Sequence, residues 1–371
     1  KAFKPVHQKS DASKRAGKMK GRPLKGAGGR QEQCPKNRNA PAWPGRDQRK
    51  ERMKRIVYAA TAAALLMPLT ASAQFLGKED MAVTQPKMTG QFWAPKPTEM
   101  TPYVAPNKPH WKLSEILAAH KGSSDWVQPI VRNKDQVADY ISMGAGQKTK
   151  MKMYPDDRIV FIVWDGSIKV SIDGYAPFVA TKGFMVNVPF RHMFTLENVG
   201  TTPALRFEVR QNGSEPIYPA SETPDPIKGM TYTKVTEQPG PSKEKDSNPI
   251  YVDYMKEFNG TDKAYGGKFV WDDHFTSNIL RGKGAPVPDD NGKNGKGHFH
   301  VGWTEFWFIM EGHIGMKVEG EKYFVCDPGD VMIAAQGRWH RAGDDPSAPW
   351  STRVPFNPRP PILHNFEATG D

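Results

Sequence analysis

The sequence repeats itself at a constant offset of 146 residues, and this limits the folds open to the chain more than any local pattern does. Gly146 matches Gly292, Gly166 matches Gly312, Gly174 matches Gly320, Phe178 matches Phe324, Val179 matches Val325 and Gly183 matches Gly329, with no gap. Glycines that return in register mark turns, because a left-handed turn position accepts few other residues. Fixed spacing between turns implies one supersecondary unit made twice. From Trp126 to Arg210 short apolar runs are split by Gly, Pro and Asp, a punctuation that suits short strands. The expectation is two copies of one β unit in a single chain.

The second copy carries the chemistry. His298 and His300 stand two apart, so on a strand both imidazoles point the same way. The turn-like Val301-Gly302-Trp303-Thr304 resets the register before the apolar run Glu305 to Met310, whose first residue supplies a carboxylate. His340 follows the turn Asp327-Pro328-Gly329-Asp330 and the apolar run Val331 to Ala335. Three imidazoles and a carboxylate suit a divalent first-row ion. Ligands drawn from successive antiparallel strands converge only inside a barrel or sandwich.

At these residues the chain resembles the cupin superfamily. Its first motif, G-x5-HxH-x4-E-x6-G, is matched by Gly292, His298, His300, Glu305 and Gly312 with every interval intact. Its second, G-x5-PxG-x2-H-x3-N, is matched at Gly329, Gly337 and His340, with Ala335 in place of the proline and Asp344 in place of the asparagine. In the first copy Lys152, Tyr154, Ile159 and Phe194 stand at the four ligand positions, while Pro189 and Asn198 restore the second motif. His192 lies two residues from the lost ligand position. The resemblance therefore implies an all-β bicupin: two double-stranded β-helix (jelly-roll) barrels with short helices and Pro-rich arms, the first degenerate.

It further implies one divalent transition metal per chain, Mn or Fe ahead of Ni, Cu and Zn. Four such ligands leave an octahedral ion two open positions for a bidentate substrate, or for substrate and dioxygen. A tetrahedral structural zinc would be closed by the same set but more often uses thiolates. Trp307 and Ile309 share the face of Glu305 and are expected to line the cavity. Arg338, two before His340, has the planar fork that suits a carboxylate at the mouth, although a solvated turn residue is the plainer reading. No side chain reads as a general acid or base, which leaves water or dioxygen on the metal as the reactive group. Two functions fit: a dioxygenase, decarboxylase or related lyase acting on a small organic acid, phenolic or sugar-derived compound, or a non-catalytic bicupin that binds metal or ligand in a storage or structural role.

The rest of the chain frames this core. Residues 1–55 hold 18 Lys or Arg against 4 Asp or Glu, so of the +12 net charge the remainder carries −2. A folded domain without basic excess argues against a nucleic-acid partner. Residues 1–52 read as a basic disordered leader, or as sequence upstream of a true start at Met53. Residues 53–73 have the charged, apolar and A-x-A segments of a signal peptide cut before Gln74, implying a periplasmic or secreted protein. The apolar run is short for a membrane span, is broken by Pro68 and has no cysteine directly after the cut, so no membrane anchor is expected. Only Cys34 and Cys326 are present, so the mature chain has no internal disulfide. Residues 74–110 read as an arm, 111–212 as the degenerate barrel with a helix near its start, 213–249 as a Pro-rich linker, 250–344 as the metal-binding barrel and 345–371 as a C-terminal strap. The strap would pack on the sheet or on a second subunit of a homo-oligomer. Gly282 to Gly297, dense in Gly, Lys and Asn and ending at the ligand pair, is a candidate lid over a small-molecule substrate.

Overall fold

The computed structural model describes residues 91–236, 247–272, 274–284, 297–358 and 363–367, all within one unit, Ser72–Asp371. The basic leader, the signal segment, the centre of the linker and all but the ends of the candidate lid lie outside the described residues. No helix among the described residues is long and apolar enough to cross a membrane.

In the first half, β1 (His110–Trp111) runs into α1 (Leu113–Ala119), followed by β2 (Trp126–Arg132), β3 (Gln136–Met143), β4 (Ile159–Asp165), β5 (Ile168–Ile172), β6 (Phe178–Ala180), β7 (Phe184–Val188), β8 (Phe194–Asn198) and β9 (Ala204–Gln211). The second half repeats the order. β10 (Tyr251–Asp253) runs into α2 (Tyr254–Phe258), followed by β11 (Tyr265–Trp271), β12 (Thr276–Gly282), β13 (His298–Phe299), β14 (Glu305–Glu311), β15 (Ile314–Val318), β16 (Phe324–Cys326), β17 (Val331–Ala334), β18 (His340–Asp344), β19 (Ser351–Asn357) and β20 (Asn365–Phe366). β4, β5, β6 and β8 recur at the 146-residue offset as β14, β15, β16 and β18. The isolated bridge between Lys152 and Phe194 recurs as the pairing of His298 with His340. β2 and β11 stand only 139 apart, so seven more residues lie between β12 and the first ligand than in the first half.

Each half forms a large and a small antiparallel sheet. The order β10-β7-β4-β9-β3-β2 faces β6-β5-β8 in the first, and β1-β17-β14-β19-β12-β11 faces β16-β15-β18-β13-β20 in the second. The all-β, two-barrel expectation therefore holds. The repeated turns hold for a steric reason: Gly166 and Gly312 have φ of 76° and 68°, and a Cβ on Gly312 would lie 2.0 Å from the Trp350 carbonyl oxygen.

The leading strands are exchanged. β1 pairs with β17 of the second barrel and β10 pairs with β7 of the first, so each barrel's large sheet ends on a strand from the other half. α1 follows its strand. Its Lys112 N-cap makes no side-chain cap, and the Leu113 N–H instead donates to Asp330 Oδ1 at 2.9 Å on the second barrel. His110 Nε2 contacts the other oxygen of Asp330 at 2.7 Å. The arm before β1 lies on the same barrel, where the hydroxyls of Thr101 and Tyr103 donate to the Gln336 and Ile333 carbonyls. At the other end of the chain, the Pro-rich tail supplies β19, a strand inside the second large sheet between β14 and β12.

Three apolar clusters hold the assembly. The largest joins the two halves, with Tyr140 and Phe207 from the first packed against Phe306, Phe308 and Phe356 from the second. The other two fill the barrels. In the first barrel, Tyr154 and Phe194 stack at 6.5 Å with Ile159 buried beside them, so three of the four positions aligned with the ligands are packed into apolar core. Beside them Arg206 Nε donates to Glu208 Oε2 at 2.8 Å, with side chains only 6% and 13% exposed. Burial raises the Glu208 carboxyl, but Arg206 and Lys152 more than offset this and hold it below the usual range. A depressed carboxylate contributes stability above its unfolded pKa, and loses it as pH falls through the folded value. Glu208→Gln should therefore cost about 3 kcal/mol at neutral pH by leaving a buried arginine without its counter-charge. In urea denaturation from pH 7 to pH 3, the gap to wild type should close below the normal value of 4.5; a gap that stays constant would remove Glu208 from the pair.

Candidate metal centre

Four side chains converge where the small sheet of the second barrel meets its large one. His298 on β13 is the register partner of His340 at the start of β18, and Glu305 opens β14 opposite Ala334. His300 follows β13 and is held by its carbonyl, which accepts from the Gly337 N–H at 3.0 Å. The strands approach closely at Gly297, where φ is 82° and a Cβ would lie 2.0 Å from the His340 carbonyl oxygen. Only glycine fits there. One ligand atom each from His298, His300, Glu305 and His340 can be chosen so that all lie within 4.8 Å of one another. His300, Glu305 and His340 are buried and His298 is half-buried.

The hydrogen bonds set the tautomers. Nδ1 of His300 lies 2.9 Å from the Leu363 carbonyl and Nδ1 of His340 lies 3.2 Å from the Arg338 carbonyl. A carbonyl oxygen only accepts, so both Nδ1 atoms carry hydrogen, and in the neutral rings Nε2 is left as a lone pair. Those lone pairs face Glu305 Oε2 at 3.0 and 2.9 Å. His298 Nε2 lies 3.8 Å from the same oxygen and is buried without a hydrogen-bond partner among the described residues. Acceptors aimed at a carboxylate need a positive charge between them. Within the protein, protons on the imidazoles are the source at hydrogen-bond distance. Burial lowers His298, whereas for His300 the bond to Glu305 outweighs burial and raises its pKa; burial also opposes the charge on Glu305, but the three imidazoles hold it well below the carboxylate range. The donor set, the lone-pair directions and the orphaned His298 nitrogen all fit a divalent cation.

Around the ligands lies a cavity of about 280 Å³ lined by Leu280, Trp307, Arg353, Pro355, His364 and Phe366 together with His298, Glu305 and His340. Trp303 stacks on His300 with ring centres 5.0 Å apart, and its Nε1 donates to Asn357 Oδ1 at 3.3 Å, which steadies the ligand ring.

The expected substrate residues divide. Trp307 lines the cavity, and its buried Nε1–H has no acceptor among the described residues. Ile309 sits deeper, packed with Ile314, Met316 and Met332 in the barrel interior, because two residues along the strand carry it past the cavity floor. Arg338 is turned away from the cavity. Its Nε donates to the Thr101 carbonyl, its Nη1 donates to the Glu319 carbonyl and Glu321 carboxylate at 2.9 Å, and its guanidinium covers Tyr103. It ties the N-terminal arm to the barrel. His313 lies at its turn and contacts Asp327 Oδ1 at 2.8 Å.

Two residues at the site escaped sequence reasoning. His364 lies with its ring 4.4 Å from that of His298 and 5.4 Å from that of His300. Although the residue as a whole is exposed, loss of hydration around the crowded ring, followed by the charge of His298, takes its pKa down to about 4. It stands in a Pro-rich tail with no period or motif. The other is Arg353, an arginine in an irregular run of Ser, Thr and Pro.

Comparison with solved structures agrees with this fold. No family model matches the sequence, and no curated protein matches it. Among solved structures, salicylate 1,2-dioxygenase from Pseudaminobacter salicylatoxidans superposes with a TM-score of 0.50 at 12% identity, covering 81% of this chain and 92% of that one. The chain has a bicupin fold. A Cupin 2 conserved barrel domain protein from Leptotrichia buccalis (TM-score 0.47, 9% identity, 67% of this chain and 96% of that one) is also similar. So is oxalate decarboxylase from Bacillus subtilis (TM-score 0.41, 11% identity, 73% and 82%). Among the described residues of this chain, the groups that could hold a metal are the four ligands of the second barrel and His110 with Cys326 and Asp330, while the aligned positions of the first barrel hold Lys152, Tyr154, Ile159 and Phe194.

Proposed function

We propose that the second barrel is the active site of a metal-dependent dioxygenase, decarboxylase or related lyase acting on a small organic acid, phenolic or sugar-derived compound. The observation that carries this reading is the cluster of His298, His300, Glu305 and His340 on the wall of a cavity large enough for a small molecule. A divalent first-row ion bound there supplies Lewis-acid or redox chemistry. The cupin resemblance favours Mn and Fe; imidazole and carboxylate suit Ni, Cu and Zn as well, so ligand type alone does not choose among the five. The chain's own residues do the remaining work. The carbonyls of Leu363 and Arg338 hold the Nδ1 hydrogens of two ligands and so keep both Nε2 lone pairs aimed inward. Trp307, Leu280, Pro355 and Phe366 form the apolar part of a cavity wall that Arg341 and Arg353 complete.

We further propose that the protein acts outside the cytoplasm, on the support of its signal-peptide segment. Binding without turnover is the second reading, and the packed first barrel supports it to the extent that such a barrel persists without a site. Turnover of a panel of small carboxylates and phenols by the metal-loaded chain, in air and under nitrogen, separates the two. Consumption of one compound is the expected result. Turnover in air alone identifies an oxygenase and turnover in both a lyase, whereas a fully loaded protein inert to the whole panel would leave only binding.

A further inference from the structure

The duplicated barrel supplies its own control for one cavity residue. On β9, Arg206 is the register partner of Val163 and Glu208 that of Phe161; on β19, Arg353 is the partner of Ile309 and Pro355 that of Trp307. At the 146-residue offset Val163 corresponds to Ile309 and Phe161 to Trp307. Arg353 therefore occupies the place of Arg206, and Pro355 the place of Glu208. In the first barrel the buried arginine has its counter-charge two residues along the same strand, at 2.8 Å. In the second the arginine is kept and the carboxylate is gone.

The consequence is visible at the side chain. Arg353 makes no hydrogen bond or ion pair among the described residues, and its buried Nε lacks an acceptor. Its guanidinium lies 4.8 Å from the centre of the Trp307 ring. The carboxylates of Asp344 and Glu305 act on it only through space, and Glu305 is already engaged with the imidazoles. Arg353 is half-buried, and leaving its enclosed Nε without an acceptor is costly; the missing acceptor cannot come from Pro355. Arg353, Trp307 and Pro355 all line the cavity that holds His298, Glu305 and His340.

We infer that Arg353 is the anion subsite of this cavity and that the ligand carries a carboxylate, which takes the place that Glu208 fills in the first barrel. The planar fork of arginine matches a planar carboxylate in two parallel hydrogen bonds. The wall of Trp307, Leu280, Pro355 and Phe366 suits an apolar or aromatic remainder. The inference rests on the metal reading of the cavity for what lies beyond the carboxylate, and on the Arg206 to Arg353 correspondence for the carboxylate itself.

The test is calorimetric titration of the metal-loaded chain with benzoate, with its neutral isostere benzamide and with inorganic phosphate, the metal content of each sample being measured alongside. Wild type should bind benzoate in preference to benzamide. Arg353→Met and Arg353→Lys should weaken benzoate by about tenfold or more, as expected for loss of a charge-assisted bidentate contact, and leave benzamide unchanged. Pro355→Glu should rebuild the ion pair of the first barrel and suppress benzoate binding with Arg353 still in place. Equal binding of benzoate and benzamide by wild type, benzoate affinity unmoved in folded Arg353→Met, or phosphate bound in preference to benzoate would each overturn the carboxylate subsite. Wild type that holds no metal yet shows the Arg353-dependent benzoate preference would sink the metal reading and leave the subsite standing.

Discussion

Replacing His340 by alanine takes the metal content of the purified chain from about one equivalent to near zero and leaves both barrels folded. His340 presents one of the two lone pairs that lie at hydrogen-bond distance from Glu305, and it is the strand partner of His298. Without it, two imidazoles and a carboxylate remain, and the side of the ion it covered is opened to solvent. The fold survives because β18 is held to β15 by backbone pairing along its whole length, which a side chain does not supply. Elemental analysis with circular dichroism checks both halves of the expectation. A wild-type content near two that falls only to one would place a second ion at the group His110, Cys326 and Asp330 or in the first barrel. Lysine there would have to shed a proton, and isoleucine and phenylalanine have no donor.

The second large effect concerns the joint between the halves. Phe308 belongs to the second barrel and is fully buried, yet three of its aromatic neighbours, Phe207 at 5.3 Å, Trp164 at 5.4 Å and Tyr140 at 6.4 Å, belong to the first. Phe308→Ala opens a cavity walled by both sheets and should cost about 3–5 kcal/mol. Because the wall is shared, the two barrels should unfold together in one transition at lower denaturant. Two separate transitions, only one of them displaced, would show that the joint is weaker than its packing implies.

The ligand set and the duplication were legible because both rest on short, ungapped spacing: two residues between imidazoles, and 146 between matching turns. The exchange of β1 and β10 was not. Two- and three-residue strands carry no period, and nothing local says which sheet an edge strand will join. β19 was hidden by Pro355, since proline inside a run argues against a central strand. The structure tolerates it because the ladder to β12 is interrupted opposite Val354 and Pro355, so the missing N–H falls where no partner waits. Arg353 was hidden with that strand, and Arg338, closer in sequence to a ligand, drew the carboxylate role instead. Proximity along the chain misled there because β18 begins at His340, and the turn before it points Arg338 back toward the arm.

The exchanged leading strands have a consequence for how the molecule can change. In a symmetric dimer of one-barrel chains every substitution is made twice, and a residue harmful in one copy is harmful in both. Here the two barrels are parts of one chain, so position 152 can be lysine while position 298 is histidine. One cavity can be filled for stability while the other stays open for chemistry. Yet the division of labour is incomplete, because each barrel borrows its outermost strand from the opposite half. A substitution in β1 or α1, at the head of the barrel that has lost its ligands, acts on the sheet that carries Glu305.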